Sequence, residues 1–413
     1  MKNLLDAAFI ILIYAYMILL PILPSKFKLH SIPLNGDAIL ALIMLVYFIK
    51  ILLDKDTRER FASGIRDFFR NRLTIFIFIF CLTMFISISY SQNKSLALNE
   101  SIRFLTYVFL FFVIKYEMHD KNSIKLLLRV YLFSCFMVFF IGVIDHYYNL
   151  KFLYHSAFYD KSRLEGTMEN SNNLGAFAVI SIFPLIVLTL EDKKIINKII
   201  YFIILSLGVL NLIFAASRNS WLAVAVGFVF LTILFSYKFI FSFLFLGGAV
   251  YFIPKVHARL MQIFNTAQNE SRIKIWKLAI KVIKDHPLIG VGNGNYYSVY
   301  PEYIKRYPEL VDTYDSVQVY HPHNIFLKVQ CELGFAGLLS FIGIIVSIAI
   351  ELRKVVKFTT DSFNKSFYKG FCASFAAFLC MNLVDNFFSA PKVIAFFWIL
   401  VAVTQSAGID IKQ

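Results

Sequence analysis

The sequence predicts an all-α polytopic membrane protein of about twelve transmembrane helices, with one long periplasmic loop that contains short amphipathic helices. Three observations carry this. The 413 residues are 59% hydrophobic and include 46 Phe, a composition too apolar for a water-soluble chain of this length. Mean hydropathy is +0.68. The apolar residues also gather in runs of about 17–20, and at about 1.5 Å per helical residue one such run crosses a hydrocarbon core of roughly 30 Å.

Taken in order, the expected spans lie near 7–24, 37–53, 73–90, 101–116, 129–148, 173–190, 198–215, 221–236, 239–254, 335–352, 370–387 and 391–407. The first reads as a retained helix rather than a removed signal peptide, because no small-residue cleavage site follows it. The chain therefore divides into 1–254 with nine spans, a loop over 255–334, and 335–413 with three more. No repeat, soluble domain or nucleotide-binding loop interrupts this plan, and Gly290-Val291-Gly292-Asn293-Gly294 does not complete a phosphate-binding loop. Four of five cysteines fall inside apolar spans and Cys331 stands alone, so no disulfide framework or metal cluster is encoded.

The net charge of +15 is explained by topology before any nucleic-acid partner is needed. Lys and Arg concentrate in 54–72, 115–128, 191–198 and 353–369, which fall on one side if the spans alternate. The positive-inside rule makes that side the cytoplasm and places both termini there. The opposite set of loops, 25–36, 91–100, 149–172, 217–220, 255–334 and 385–391, holds every candidate site residue.

Arg218 lies in Ser217-Arg218-Asn219-Ser220-Trp221, between two spans with almost no loop, where an interfacial anchor is the plain alternative to a ligand-binding role. Arg272 follows Ser271, a plausible N-cap, on a helix whose Lys274, Lys277, Lys281 and Lys284 form one stripe. Ile273, Trp276, Ala279, Ile280 and Ile283 are expected to cover the opposite face, with Arg272 at its centre. A guanidinium turned toward protein needs an anionic partner. Its planar donors suit phosphate oxygens, and Glu165, Glu169 or Asp385 are the carboxylate alternatives.

The polar loop closes at Tyr320-His321-Pro322-His323-Asn324. Asn324 is expected to cap a helix that Gly334 ends. His323 then stands outside a helix N-terminus, whose positive end keeps the imidazole neutral and able to act as a general base. Asp385 and Asn386 are expected near the outer end of a span, where a carboxylate is a functional candidate or orients an arginine or histidine. Glu100 and Arg103 are expected to pair on one helix. Arg163, Glu165 and Glu169 could line the same outer cavity.

His323-Asn324, nine residues, then Gly334-Phe335-Ala336-Gly337 resembles the signature of the O-antigen ligase and polymerase superfamily of bacterial envelope glycosyltransferases. Ser217-Arg218-Asn219-Ser220-Trp221, Arg272 with Trp276 and Ala279, and Asp285-His286-Pro287 through Gly294 are similar to further family motifs. The match covers roughly Gly166 to Lys392. The resemblance implies a metal-independent, cofactor-free transferase of the inner membrane, active on the periplasmic side. It would move a glycan from undecaprenyl pyrophosphate to a sugar hydroxyl of lipid A-core; in-line attack with the pyrophosphate departing opposite would invert the anomeric carbon. Carried over, Arg218 and Arg272 would hold the pyrophosphate and His323 would deprotonate or orient the acceptor hydroxyl. His321, Asn324, Asp385 and Arg163 are supporting candidates. The motifs do not separate a ligase from a polymerase that joins lipid-linked repeats. A transporter or flippase is the reading from another class, and it should show pseudo-symmetric halves or matched broken helices.

Overall fold

The computed structural model describes residues 2–25, 28–29, 32–33, 35–148, 162–252, 254–261, 266–310 and 321–410. Tyr320 and most of the expected loop 149–172 lie outside them. Each of the twelve apolar stretches coincides with an α-helix, as expected where hydrocarbon leaves backbone amides no other partner. The first six helices are α1 (Lys2–Ile22), α2 (Gly36–Leu53), α3 (Lys55–Phe68), α4 (Arg72–Ser87), α5 (Lys94–Glu117) and α6 (Lys121–Tyr148). Next come α7 (Ser171–Glu191), α8 (Ile195–Ala215), α9 (Arg218–Leu234) and α10 (Lys238–Tyr251). Shorter, more polar helices α11 (Pro254–Met261), α12 (Thr266–Asp285) and α13 (Tyr296–Arg306) occupy the long loop. The chain closes with α14 (Ile325–Phe358), α15 (Ser362–Met381) and α16 (Pro391–Asp410). The β-structure among the described residues is one antiparallel pairing of Lys28–Leu29 with Ile32–Pro33.

Among the described residues, eight helices are long and apolar enough to cross a membrane unaided: α1, α2, α5, α6, α7, α8, α14 and α16. The amphipathic α3 and the apolar α4 form a pair bent by 82°, and α9 is apolar but shorter. In α15, Asn364, Lys365 and Lys369 dilute the first half. Short polar side chains set the helix starts. Asn35, Asp54, Asn93, Asn170 and Asp361 each accept an amide hydrogen of the first turn, removing an otherwise unpaired donor.

The bundle is built around α7 and α16, whose most apolar windows are 83% and 94% buried, against 22% for the peripheral α2. The helix α15 packs on both α7 and α9. Gly370 makes the approach to α7 close, since a Cβ there would lie 2.3 Å from the Pro184 Cα. Outer helices turn apolar side chains outward instead. Ile195, Ile196, Ile199, Ile200, Phe202 and Ile203 of α8 are all exposed, which is the lipid-facing pattern of a span at the edge of a bundle.

At one end of the bundle, basic residues are paired across helices: Lys115 with Asp67 at 2.7 Å, Lys125 with Asp361 at 2.8 Å and Lys369 with Glu191 at 2.7 Å. At the other end, the linkers between helices bond to one another. The Asn293 amide donates to Ser87 Oγ and its side-chain amide to Ser101 Oγ, while the Asn93 amide donates to Asn295 Oδ1. Lys392 reaches the Thr167 carbonyl at 2.6 Å and Glu169 at 3.1 Å. Long-loop helices α12 and α13 bury their own small core, with Ile275, Leu278, Ala279 and Val282 against Tyr296, Tyr300, Tyr303 and Cys331.

Three expectations are corrected here. The helix carrying Arg272 begins at Thr266, so Ser271 lies inside it and is not its N-cap. Its buried face is Ile275, Leu278, Ala279 and Val282, whereas Ile273 and Ile280 are 45% and 42% exposed. Apolar residues lie on both sides of the lysine stripe, so the periodicity alone could not choose between them, and the docking of α12 on α14 does. Gly334 also does not end its helix. It adopts φ 64° and ψ −160° inside α14 and breaks it into an amphipathic first part and a spanning second part.

Candidate active site

The break at Gly334 organises the site. A Cβ there would sit 2.2 Å from the Leu288 carbonyl oxygen, and its φ lies in the left-handed region that only glycine enters cheaply. The Phe335 amide donates to the Leu288 carbonyl at 3.0 Å, the Val291 amide to Cys331 at 2.9 Å and the Gly292 amide to Glu332 at 2.8 Å. Gln330 adds a bond from its side-chain amide to the Pro287 carbonyl at 2.9 Å. Segment 285–294 is thereby stitched onto the end of the amphipathic part of α14, and the two motifs form one structural unit.

At the start of that helix, Asn324 accepts from the Phe326 and Leu327 amides at 2.9 and 3.1 Å and donates to the Leu383 carbonyl at 2.9 Å. The Ile325 amide donates to the Asn382 carbonyl at 2.9 Å. One asparagine side chain thus caps α14 and ties it to the linker 382–390. Asp385 belongs to this linker and not to a span, because α15 stops at Met381. The Asn382 side chain competes with continued helix, donating to the Phe378 carbonyl and accepting from the Phe387 amide at 2.8 Å each.

His323 Nδ1 then lies 3.1 Å from Asp385 Oδ1. The His323 backbone has φ 49°, a left-handed conformation for a non-glycine residue. Such strain costs on the order of 1–3 kcal/mol and gathers where structure holds a side chain for use. Burial pushes the Asp385 carboxyl up. The hydrogen bond from His323, with the two neighbouring imidazoles and the Arg272 charge, outweighs this and holds the pKa below the usual carboxylate value. An ionised Asp385 accepts the Nδ1 proton of a neutral His323 and leaves Nε2 bare as the basic atom.

His321 packs on the same pair, with ring centroids 4.5 Å apart, and its Nδ1 accepts from the His323 amide at 3.3 Å. Burial first, then the adjoining His323 ring and the Lys328 charge, push its pKa down to about 3 against the opposing pull of Asp385. It is held neutral. One ligand atom from each of His321, His323 and Asp385 lies within 4.8 Å of the others, a spacing that three ligands of one divalent ion could share. The same spacing serves a hydrogen-bonded imidazole–carboxylate pair backed by a second ring.

Arg272 is half-buried near this group, and its charge acts on Asp385. Among the described residues it forms no ion pair. Glu169, one of the alternatives expected for it, pairs with Lys392 and accepts from the Ser25 amide at 2.6 Å. Arg218 opens α9 two positions after Ala216, another left-handed non-glycine residue at φ 48°. Its neighbour Asn219 donates to the Met381 carbonyl at 2.9 Å, next to Asn382. Arg218 and Asp385 are therefore tied to the same end of α15. Arg163 braces this corner, with Nε donating to the Ala215 carbonyl at 3.0 Å and Nη2 to Asn172 at 2.7 Å. Glu100 and Arg103 pair on α5 as the spacing predicts.

Two residues escaped the sequence reading. Glu332 is fully buried, binding Lys328 Nζ at 2.8 Å and the Gly294 amide at 2.9 Å. A carboxylate within a long apolar helix is the signal that could have found it. Asn382, the hub between α14 and α15, carries no such mark.

Fold and site together define an all-helical, multi-pass membrane protein with a histidine–carboxylate pair on linkers, Arg272 on α12 near enough for its charge to act on Asp385, and Arg218 at the start of α9. Residues 201–342 match the family model described as O-Antigen ligase. The match runs from α8 into α14, takes in Arg218, Arg272, His321, His323 and Asn324, and bears out the resemblance to the O-antigen ligase superfamily over that segment. Asp385 lies beyond it. No curated protein matches the chain.

Proposed function

We infer that the protein is a glycosyltransferase that moves a glycan from undecaprenyl pyrophosphate to a sugar hydroxyl of lipid A-core. The observation that carries this reading is the His323–Asp385 pair at 3.1 Å beside an Arg272 without a carboxylate partner among the described residues. His323 Nε2 takes the proton of the acceptor hydroxyl while Asp385 fixes the tautomer through Nδ1. The acceptor oxygen forms its bond to the anomeric carbon as the bond to pyrophosphate breaks on the opposite side, so configuration inverts. Arg218 and Arg272 stabilise the charge that collects on the departing diphosphate. Two guanidinium groups so placed fill the role that a divalent cation plays in many transfers from diphosphates.

The paired basic loops mark the cytoplasmic end of the bundle by the positive-inside rule, and the linkers carrying the site then face the periplasm. The experiment is transfer of a radiolabelled glycan from undecaprenyl pyrophosphate by the purified protein. Lipid A-core and a second lipid-linked repeat are offered separately, with EDTA present and His323→Ala beside the native protein. Product on lipid A-core that is lost in the variant is the expected result. Lengthening of the lipid-linked glycan would instead make it a polymerase, and undiminished transfer by His323→Ala would end the general-base reading.

A further inference from the structure

A cavity of about 190 Å³ opens at the opposite end of α14 from His323, where the last turns of that helix meet the short link between α3 and α4 and Gln405 of α16. Arg70, Arg72 and Lys354 bring three positive charges to it and Glu351 one negative, a balance of +2. Lys354 and Glu351 hold each other at 3.5 Å. Arg70 and Arg72 form no ion pair among the described residues. Other basic residues at this end are engaged, with Arg60 on Glu117 and Lys115 on Asp67. Asn71, between the two arginines, accepts from the Leu73 amide and donates to Gln405 Oε1 at 3.3 Å. One side chain thus caps α4 and fixes the arginine-bearing link against α16.

Two guanidinium groups without a carboxylate, in a space that holds a phosphate group and water, suit phosphate oxygens. The surroundings point to where that phosphate comes from. The amphipathic α3 meets the apolar α4 at 82°, the geometry of a helix lying along a membrane surface joined to one that enters it. Arg70 and Arg72 stand at this corner, the depth of lipid headgroups. Exposed apolar residues continue the cavity-lining faces from there at spacings of three and four. Ile75, Ile79 and Leu82 follow Arg72 along α4, and Val346, Ile342 and Leu339 lead away from Ile350 along α14. A soluble phosphate would use only the arginines, whereas a phospholipid uses the arginines and both apolar stripes.

We propose that this cavity binds the phosphate of an anionic membrane phospholipid, with Arg70 and Arg72 on its oxygens and its acyl chains along the stripes of α4 and α14. Lys354 repels the ammonium of a zwitterionic headgroup and so favours a lipid with net negative charge. Occupancy ties the corner between α3 and α4 to α14 and α16, away from His323, and does not depend on the transfer reaction.

The test uses the full chain, stripped of lipid in a neutral maltoside detergent. Dioleoyl phosphatidylglycerol, dioleoyl phosphatidylcholine or inorganic phosphate is added, and binding is followed by native mass spectrometry and by the thermal midpoint. Phosphatidylglycerol should bind several-fold tighter than phosphatidylcholine and raise the midpoint. Arg70→Gln with Arg72→Gln should weaken its binding about 10–30-fold, the scale of two charges at a membrane surface. The lipid-free midpoint of that variant should stay near the native one, since neither arginine has an ion pair to lose. Lys193→Gln with Lys194→Gln, exposed basic residues of another linker at the same end, should leave binding unchanged. Lys354→Gln, which keeps both arginines and the link intact, should narrow the preference for phosphatidylglycerol several-fold. Equal affinity for the two lipids, equal weakening by both double substitutions, or no change in either cavity variant would overturn the proposal. Inorganic phosphate that displaces phosphatidylglycerol at equal concentration would give the cavity to free phosphate and overturn the lipid assignment.

Discussion

His323 Nδ1 and Asp385 Oδ1 lie 3.1 Å apart although 62 positions separate them in the chain. The contact exists because Asn324 and Ile325 bond the first turn of α14 to the Leu383 and Asn382 carbonyls. If Asp385 holds the tautomer of His323, Asp385→Asn should lower kcat by about 10²–10⁴-fold with little change in either KM. Steady-state kinetics at saturating donor measure this. A loss confined to KM would make Asp385 a binding residue instead.

Arg272→Lys keeps a charge but loses the planar fork. For a diphosphate ligand it should lower kcat/KM for the donor by about 10–100-fold and leave acceptor KM unchanged, and Arg218→Lys should do the same. An effect on the acceptor alone would contradict the diphosphate assignment.

Acidification should destabilise the protein in two stages. With His321 at about 3 when folded, against an ordinary 6.5, the unfolded chain binds the extra proton between those values. Stability therefore rises with pH across that window. The folded pKa of Asp385 is lowered from 3.8, so its contribution is present above 3.8 and is lost as pH falls through the lowered value. Thermal midpoints in detergent from pH 7 to pH 3 should fall monotonically. His321→Asn, whose side-chain oxygen can still accept from the His323 amide, should flatten the upper part of the curve.

Gly334→Ala introduces a Cβ 2.2 Å from the Leu288 carbonyl oxygen at a φ of 64°. The strained backbone alone costs about 1–3 kcal/mol, and the clash adds to it. The variant should show a lower thermal midpoint and faster proteolysis within 285–294, the segment that Phe335 and Val291 stitch to α14. Unchanged proteolysis would show that the break is not what holds this segment.

By itself the sequence determined the elements. Runs of apolar residues long enough for hydrocarbon became helices, Asn324 became the cap its position predicts, and Glu100 met Arg103 one turn away. These are local matters, fixed by hydropathy, spacing and the short reach of a capping side chain. Only the tertiary structure decided which face of α12 is buried and that Asp385 belongs to a linker rather than a span. It also decided that His323, not an arginine, is the hydrogen-bond partner of Asp385, and it placed Glu332 beside the 285–294 segment. Each of these depends on backbone carbonyls and glycines that let distant segments approach, and a side chain's partner across such a contact leaves no periodic trace in the chain.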